Sequence, residues 1–249
     1  MAFAQSARPI EGAVATLGVS DRVAFLRRTY AHLGGALIAW ALITAGLFRF
    51  AFNSMLKFSE FALKSQWSWL LVLGAFMLVQ AGAQALSRSN ASKGIQYAGL
   101  GLAVVAESLL LQPLLMVLFF RTMHGDFGST SMMTMLEEAA LLTVVIFAGL
   151  TLTVFVTKKD FSFMRGILMI GSFAALGVIV GSAIFGFHLG VVFCGAMILL
   201  MAGYVLYQTS LVMQYYPPEA HVSAALMLFS TIATLFWYVL QLVMEMNRR

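Results

Sequence analysis

Charged side chains are scarce in this sequence. Asp, Glu, Lys and Arg make up 10% of the 249 residues and hydrophobic residues 61%, whereas soluble domains carry about 25% charged residues. Because a charge is costly in hydrocarbon, this composition excludes a soluble enzyme and predicts an all-α membrane protein. A spanning helix needs about 20 apolar residues, so the length allows several spans and leaves no room for a separate soluble domain.

Cysteine is almost absent as well. The single one, Cys194, cannot form a disulfide within the chain or build a thiolate metal cluster. The sequence also has no His-Glu-x-x-His zinc motif and no phosphate-binding Gly-x-x-x-x-Gly-Lys-Ser/Thr loop. We therefore expect no metal site, no cofactor and no enzymatic activity. The formal net charge of +5 forms no basic face of the kind that binds nucleic acid, so we expect no nucleic-acid partner.

Long apolar stretches bounded by charged or turn residues predict a seven-transmembrane-helix bundle. The longest stretch without a charge is split by a glycine-rich turn at residues 186–190, which contains His188. Pro217 and Pro218 break the chain before the last span. The predicted spans are residues 30–48, 67–86, 95–120, 136–157, 166–185, 189–213 and 221–244.

These spans divide the chain into a cytoplasmic tail (residues 1–29), the seven-helix domain (30–244) and a short C-terminal tail (245–249). Nine Lys and Arg residues then lie on the side of the N-terminus and six on the other side. The positive-inside rule favours a cytoplasmic N-terminus and an external C-terminus. We expect a multi-pass protein whose partner is the lipid bilayer, located in a bacterial cytoplasmic membrane.

Glu107 is the most informative residue. It lies near the middle of the third predicted span, roughly 18 Å from either end at 1.5 Å per residue. An acid at that depth indicates a functional site, but three arrangements are open. Glu107 carries a proton, bonds polar groups on neighbouring helices, or faces a wet cavity and meets a cation. The first and last favour transport or sensing, and the second favours a structural role.

Other polar and small residues inside the spans are weaker signals. Gln80 and Gln84 are four residues apart and share a helix face, so they either line a path or join helices, and we favour the second. Gly177 and Gly181 have the spacing that lets helices approach closely. Gly99-x-Gly101 lies inside a span, so it indicates packing and not a nucleotide loop.

Three stretches resemble the Bax inhibitor family of small membrane proteins, also called the transmembrane Bax inhibitor motif family. They retain the family's order and spacing along residues 21–243. The stretches are residues 25–30 (FLRRTY), residues 151–163, which end in TKKDFSF and contain Asp160, and residues 203–240, which begin with GYVLYQT.

The resemblance implies a seven-helix bundle with proton-sensitive calcium leak and, in eukaryotes, suppression of cell death. In the family, two aspartates on the last two helices form a proton-sensing pair that closes the pore. The matching positions here are Gln208, in Tyr-Gln-Thr, and Thr231, in Leu-Phe-Ser-Thr-Ile. Counting from the proline turn places the two at similar depth. Neither titrates, so we expect the pH gate to be absent.

These features predict a cation (calcium) leak channel or a regulator of ion balance and stress. Glu107, Gln208 and Thr231 are the main site candidates, with Asp160, Gln80 and Gln84 as weaker ones. Two alternatives are a non-conducting interaction protein and a small-solute transporter that couples to protons through Glu107. The sequence identifies no protein partner.

Overall fold

The computed structural model describes residues 14–16, 18–88, 92–187 and 189–248, which contain eight α-helices and no strand. Seven of the helices are long and apolar enough to cross a membrane, so the predicted seven-helix membrane fold is confirmed. The helices are α1 (Val19–Phe50), α2 (Phe52–Leu63), α3 (Gln66–Leu86), α4 (Lys93–Met123), α5 (Met132–Thr157), α6 (Arg165–Phe185), α7 (Val191–Gln214) and α8 (His221–Asn247).

The helix ends lie close to the predicted span ends, with one large exception. α1 begins at Val19, well inside the stretch assigned to the N-terminal tail, because a helix can continue past the hydrocarbon into a charged segment. Residues 1–13 and His188 lie outside the described residues. Below, the N-terminal side is the membrane side on which α1 begins, and the C-terminal side is the one on which α8 ends.

The sequence analysis did not predict α2. This helix of 12 residues is too short to span a bilayer. It follows α1 after a single residue, Ala51, and contacts α1, α3 and α4. Its apolar and charged residues alternate with helical spacing, as in helices that lie along a membrane surface. α2 is therefore a surface helix on the C-terminal side.

The centre of the bundle is formed by α4 and α8. In the most apolar stretch of 18 residues in each of these two helices, 61% is buried within the protein. The corresponding share for the α6 span is 11%. α8 contacts α1, α3, α4, α5 and α7, while α6 packs mainly on α7. The candidate site residues Glu107 and Thr231 thus lie on the two most enclosed helices.

The packing role predicted for Gly99 is found, whereas the one predicted for Gly177 and Gly181 is not. A Cβ atom at Gly99 would lie 2.6 Å from the carbonyl oxygen of Ala83, so α3 and α4 nearly touch there. Gly177 has open space around its Cα, and a Cβ at Gly181 would meet only the ring of Phe187, 3.8 Å away. The helix contact predicted for Gly177 and Gly181 is therefore wrong within this chain, because their helix face lies on the periphery.

Candidate functional site

Glu107 lies inside the bundle, in the middle of α4, where 5% of its surface is exposed. The amide nitrogen Nε2 of Gln80, on α3, donates a hydrogen bond to Glu107 Oε1 over 2.7 Å. Gln80 is itself buried. Of the arrangements left open by the sequence, the one in which Glu107 bonds a polar group on a neighbouring helix is present.

The Gln80 amide can serve either protonation state of Glu107. As oriented, it donates to the carboxyl group, while its own oxygen Oε1 is buried without a hydrogen-bond partner. An amide carries a donor and an acceptor of nearly equal shape. If the amide reverses, its oxygen accepts a hydrogen bond from protonated Glu107. The pair can therefore hold or release a proton without losing its contact.

Glu107 forms no ion pair with any cation of the described residues. In the described part of the chain, the only ion pair joins Arg248 Nη1 and Glu245 Oε2, at 3.9 Å. The next polar side chains on α4, Ser108 and Gln112, donate to backbone carbonyls of their own helix, and Gln112 also donates to Thr44 O of α1. Gln112 thus joins α4 to α1, and Glu107 and Gln80 are the chemically versatile pair.

Gln84 does not share the position of Gln80. Its side chain is exposed, although the two residues are one turn apart on α3. A separation of four residues turns a helix about 40° beyond a full turn, which carries Gln84 from the α4 contact to the lipid-facing edge. The expectation that both glutamines share one polar face is therefore wrong for Gln84.

Gln208 and Thr231 meet between α7 and α8. Thr231 Oγ1 donates to Gln208 Oε1 over 2.8 Å, and both side chains are buried. The depth match predicted from the proline turn is therefore found. Since neither side chain ionises in an accessible pH range, this contact can join the helices but cannot carry a proton. Its role in gating stays a prediction.

Asp160 lies at the surface of the N-terminal side and holds a loop. Its Oδ1 accepts from the backbone N–H of Ser162, and its Oδ2 accepts from the Tyr215 hydroxyl over 2.7 Å. Burial, and then the bond to the Asp160 carboxylate, raise the pKa of Tyr215. Ser210 Oγ accepts from Phe161 N in the same region. These bonds fasten the α5–α6 connection to the end of α7, which is a structural task.

Sequence analysis missed a polar cluster on the N-terminal side. His32 Nε2 and the Tyr97 hydroxyl are 2.9 Å apart, and the rings of His32 and His221 have centroids 5.0 Å apart. The three residues belong to α1, α4 and α8. Each lies within two residues of the N-terminal-side end of a predicted span, so their common depth was available from the sequence. Their helix faces were not.

No group of three or more His, Cys, Asp or Glu side chains converges within the residues that the structure describes. Cys194 is buried, and its Sγ lies 3.5 Å from Gln241 Oε1. Close to the Glu107 carboxyl group lies the amide of Gln80, whereas a tight calcium site has six to eight oxygens.

Comparison with known proteins agrees with the fold. The profile of the family "Inhibitor of apoptosis-promoting Bax1" matches residues 22–249. Bax inhibitor 1 of Schizosaccharomyces pombe is 28% identical over 239 residues, which cover 92% of this chain and 79% of that protein. No solved structure matches the chain.

Two further relatives match over shorter stretches. An uncharacterized membrane protein of Vibrio cholerae is 31% identical over 117 residues, covering 45% of this chain and 50% of its own length. The Golgi anti-apoptotic protein of vaccinia virus is 29% identical over 117 residues, covering 45% of this chain and 48% of its own length.

Proposed function

This chain belongs to the Inhibitor of apoptosis-promoting Bax1 family, and on that premise we propose that it is a passive cation leak pathway with calcium as its cargo. It is a multi-pass membrane protein. The activity is transport, so it includes no enzymatic step. A bacterial cytoplasmic membrane and a cytoplasmic N-terminus are part of the same proposal, supported by the nine basic residues on the N-terminal side against six on the other.

The buried Glu107 carries this proposal. It holds a carboxyl group at mid-depth, where a cation crossing the bundle has lost most of its water. Gln80 Oε1 adds a second oxygen that has no hydrogen-bond partner. Conduction needs binding that is favourable enough for entry and weak enough for exit. One carboxyl group and one amide oxygen meet that need better than a saturated calcium cage would.

We further propose that Gln208 and Thr231 do not gate this leak by pH. A carboxylate pair at these positions could share a proton and change its charge with pH. The Thr231–Gln208 contact stays uncharged at every accessible pH. Calcium leak through this chain should therefore respond little to pH at the α7–α8 contact, and any response that remains should come from Glu107.

Calcium flux into dye-loaded liposomes tests both points. We expect wild-type protein to give flux above protein-free liposomes, and Glu107→Gln to lower it several-fold, because the amide keeps the size and hydrogen bonds of the side chain but cannot ionise. Glu138→Gln, on an exposed face of α5, is the matched control and should leave the flux unchanged. If Glu107→Gln conducts like the wild type, Glu107 is not on the path.

A second candidate function is a non-conducting interaction protein. The direct Thr231–Gln208 bond favours an interaction protein, because this bond joins α7 to α8 at the place where the resemblance to the family puts the gate. The names of two relatives, Bax inhibitor 1 and Golgi anti-apoptotic protein, also refer to cell death and not to conduction. Folded protein that gives no flux at any pH would support this function, whereas proton uptake that depends on an added solute would support a transporter.

A further inference from the structure

A concave site of about 850 Å³ lies on the C-terminal side, between α2 and the last turn of α4. Three cations surround it: Lys57, Lys64 and Arg121. One carboxylate, Glu60, is also present, and the floor includes Met116 and Val117. The site thus combines a positively charged rim with an apolar base.

None of the three cations has an anionic partner among the residues that the structure describes. Within the described residues the single ion pair is Arg248–Glu245, so Glu60 forms no ion pair with any of the three. Three positive charges and one negative charge leave the rim with an excess of two positive charges. Cations gathered without neutralising partners repel one another, and an anion bound among them would relieve that repulsion.

The position of the site indicates where that anion comes from. Arg121 lies in the last turn of α4, at the end of a membrane span, and α2 lies beside it along the membrane surface. Phe61 and Leu63 on α2 are 50% and 49% exposed, which places apolar side chains where acyl chains begin. A surface helix with apolar and basic residues attracts anionic lipids through both its apolar area and its charge.

We propose that this site between α2 and α4 binds the headgroup of an anionic phospholipid. The phosphate lies among Lys57, Lys64 and Arg121, and an acyl chain lies against Phe120 and the apolar floor. Arg can contact phosphate with two parallel hydrogen bonds, and Lys acts as a point charge. The proposal also accounts for the narrow charge margin of the topology, because three of the six basic residues on the C-terminal side surround this one site.

Lipid titration of the full-length protein in detergent tests the proposal. Native mass spectrometry would measure binding of phosphatidylglycerol and, separately, phosphatidylcholine. We expect preferential binding of phosphatidylglycerol, and a loss of at least about tenfold in apparent affinity for the triple variant Lys57→Gln/Lys64→Gln/Arg121→Gln, since each cation near a lipid surface contributes about fivefold. The matched control is Lys158→Gln/Lys159→Gln/Arg165→Gln, which removes three exposed cations from the N-terminal side.

Glu60→Gln provides a test that misfolding cannot imitate. It removes the one carboxylate of the rim, so binding of phosphatidylglycerol should tighten by about fivefold. The proposal is wrong if Glu60→Gln fails to tighten binding, if the two triple variants lose affinity equally, or if phosphatidylcholine binds as well as phosphatidylglycerol. Competition by millimolar inorganic phosphate would overturn the lipid assignment in favour of a free phosphate ligand.

Discussion

Two pairs of antiparallel helices in this protein are joined by similar contacts with different chemistry. Gln80 on α3 bonds Glu107 on α4 over 2.7 Å, and Thr231 on α8 bonds Gln208 on α7 over 2.8 Å. Each is a buried contact between two side chains. Only the first contains a group that can gain or lose a proton. Geometry alone would treat the two contacts as equivalent, and the residue types separate a candidate ion site from a neutral link.

The surroundings of the two contacts differ as well. α8 contacts five other helices, and 61% of its most apolar stretch is buried. In α3 the corresponding share is 17%. Glu107 is therefore screened from lipid on one side by a single, largely lipid-facing helix. The Gln208–Thr231 contact joins α8 to α7, and 33% of the most apolar stretch of α7 is buried, about twice the share in α3. The carboxyl group occupies the region that can move apart with less loss of packing.

The largest effect should come from giving the neutral contact the chemistry of the other one. Gln208→Asp with Thr231→Asp places two carboxyl groups at hydrogen-bond distance, where like charges hold a shared proton. We expect calcium flux in liposomes to become dependent on pH, by about tenfold over two pH units centred on the titration, because the ionised fraction of one group rises from about 9% to about 91% over that range. The wild type should show no step from the α7–α8 contact, and any pH dependence that it has should disappear with Glu107→Gln.

Glu107 must be separated from this result. The triple variant that also carries Glu107→Gln should keep the pH step with a lower flux, if the two contacts act independently. Flux through Gln208→Asp/Thr231→Asp that stays insensitive to pH would mean that the family's aspartate positions do not correspond to Gln208 and Thr231.

The next effect concerns the close approach beside the Gln80–Glu107 contact. At Gly99 an added methyl group would meet backbone atoms of Ala83 and Ser87, which cannot rotate away. Gly99→Ala should therefore lower the free energy of unfolding by about 2–3 kcal/mol, as overpacking does. Gly101→Ala is the control, since nothing lies within 4 Å of its added carbon, and it should be neutral or stabilising by up to about 1 kcal/mol.

Steric trapping in bicelles would give both values. If Gly99→Ala is as stable as Gly101→Ala, α3 and α4 are farther apart than the structure places them. Gln80 and Glu107 would then also be separated.

The sequence predicts the spans well because a bilayer imposes one requirement, about 20 apolar residues for each crossing. That requirement is local, so each span can be read without knowing its neighbours. The requirement of about 20 apolar residues does not apply to α2, because a helix of 12 residues at the membrane surface needs only a small apolar stripe. The requirement does not apply to the part of α1 before residue 30 either, because helical structure outside the hydrocarbon is set by backbone hydrogen bonds and not by hydropathy.

The sequence predicted those features of the site that depend only on the depth of a residue in the membrane. It missed those that depend on which way a helix face turns. Counting residues from Pro217 and Pro218 places Gln208 and Thr231 at one level, and the tight turn makes α7 and α8 neighbours. For Glu107 the depth was also predicted, but not its bond to Gln80. Which face α3 turns to α4 depends on packing of the whole bundle, and the same uncertainty made Gln84 look equivalent to Gln80.

That difference in orientation gives the next prediction. Gln80→Leu leaves Glu107 buried without its hydrogen-bond donor and should lower the unfolding free energy by about 1–2 kcal/mol, within the range measured for buried polar contacts in membrane proteins and soluble cores. Gln84→Leu, on the exposed edge of the same helix, should change it by less than about 0.5 kcal/mol.

A double substitution identifies the origin of the loss. Gln80→Leu with Glu107→Leu should be nearer the wild type than Gln80→Leu alone, because replacing both partners by apolar groups leaves no polar group unpaired. Equal losses for Gln80→Leu and Gln84→Leu would show that the contact stabilises nothing.

The smallest effect should come from the neutral contact. Thr231→Val keeps the shape of the side chain and removes its hydroxyl donor, which bonds Gln208 Oε1 and, at 3.3 Å, Met227 O of its own helix. The bond lost between helices is uncharged and worth about 0.6 kcal/mol on average in membranes. The Gln208 oxygen left without its donor is neutral, and rotation of the amide can bring it to another hydrogen-bond partner. A buried carboxyl group does not have that option. The same unfolding measurement as for Gln80→Leu gives the comparison directly. A loss for Thr231→Val that equals or exceeds the loss for Gln80→Leu would mean that enclosure by α8, and not the presence of a carboxyl group, decides how much each contact contributes.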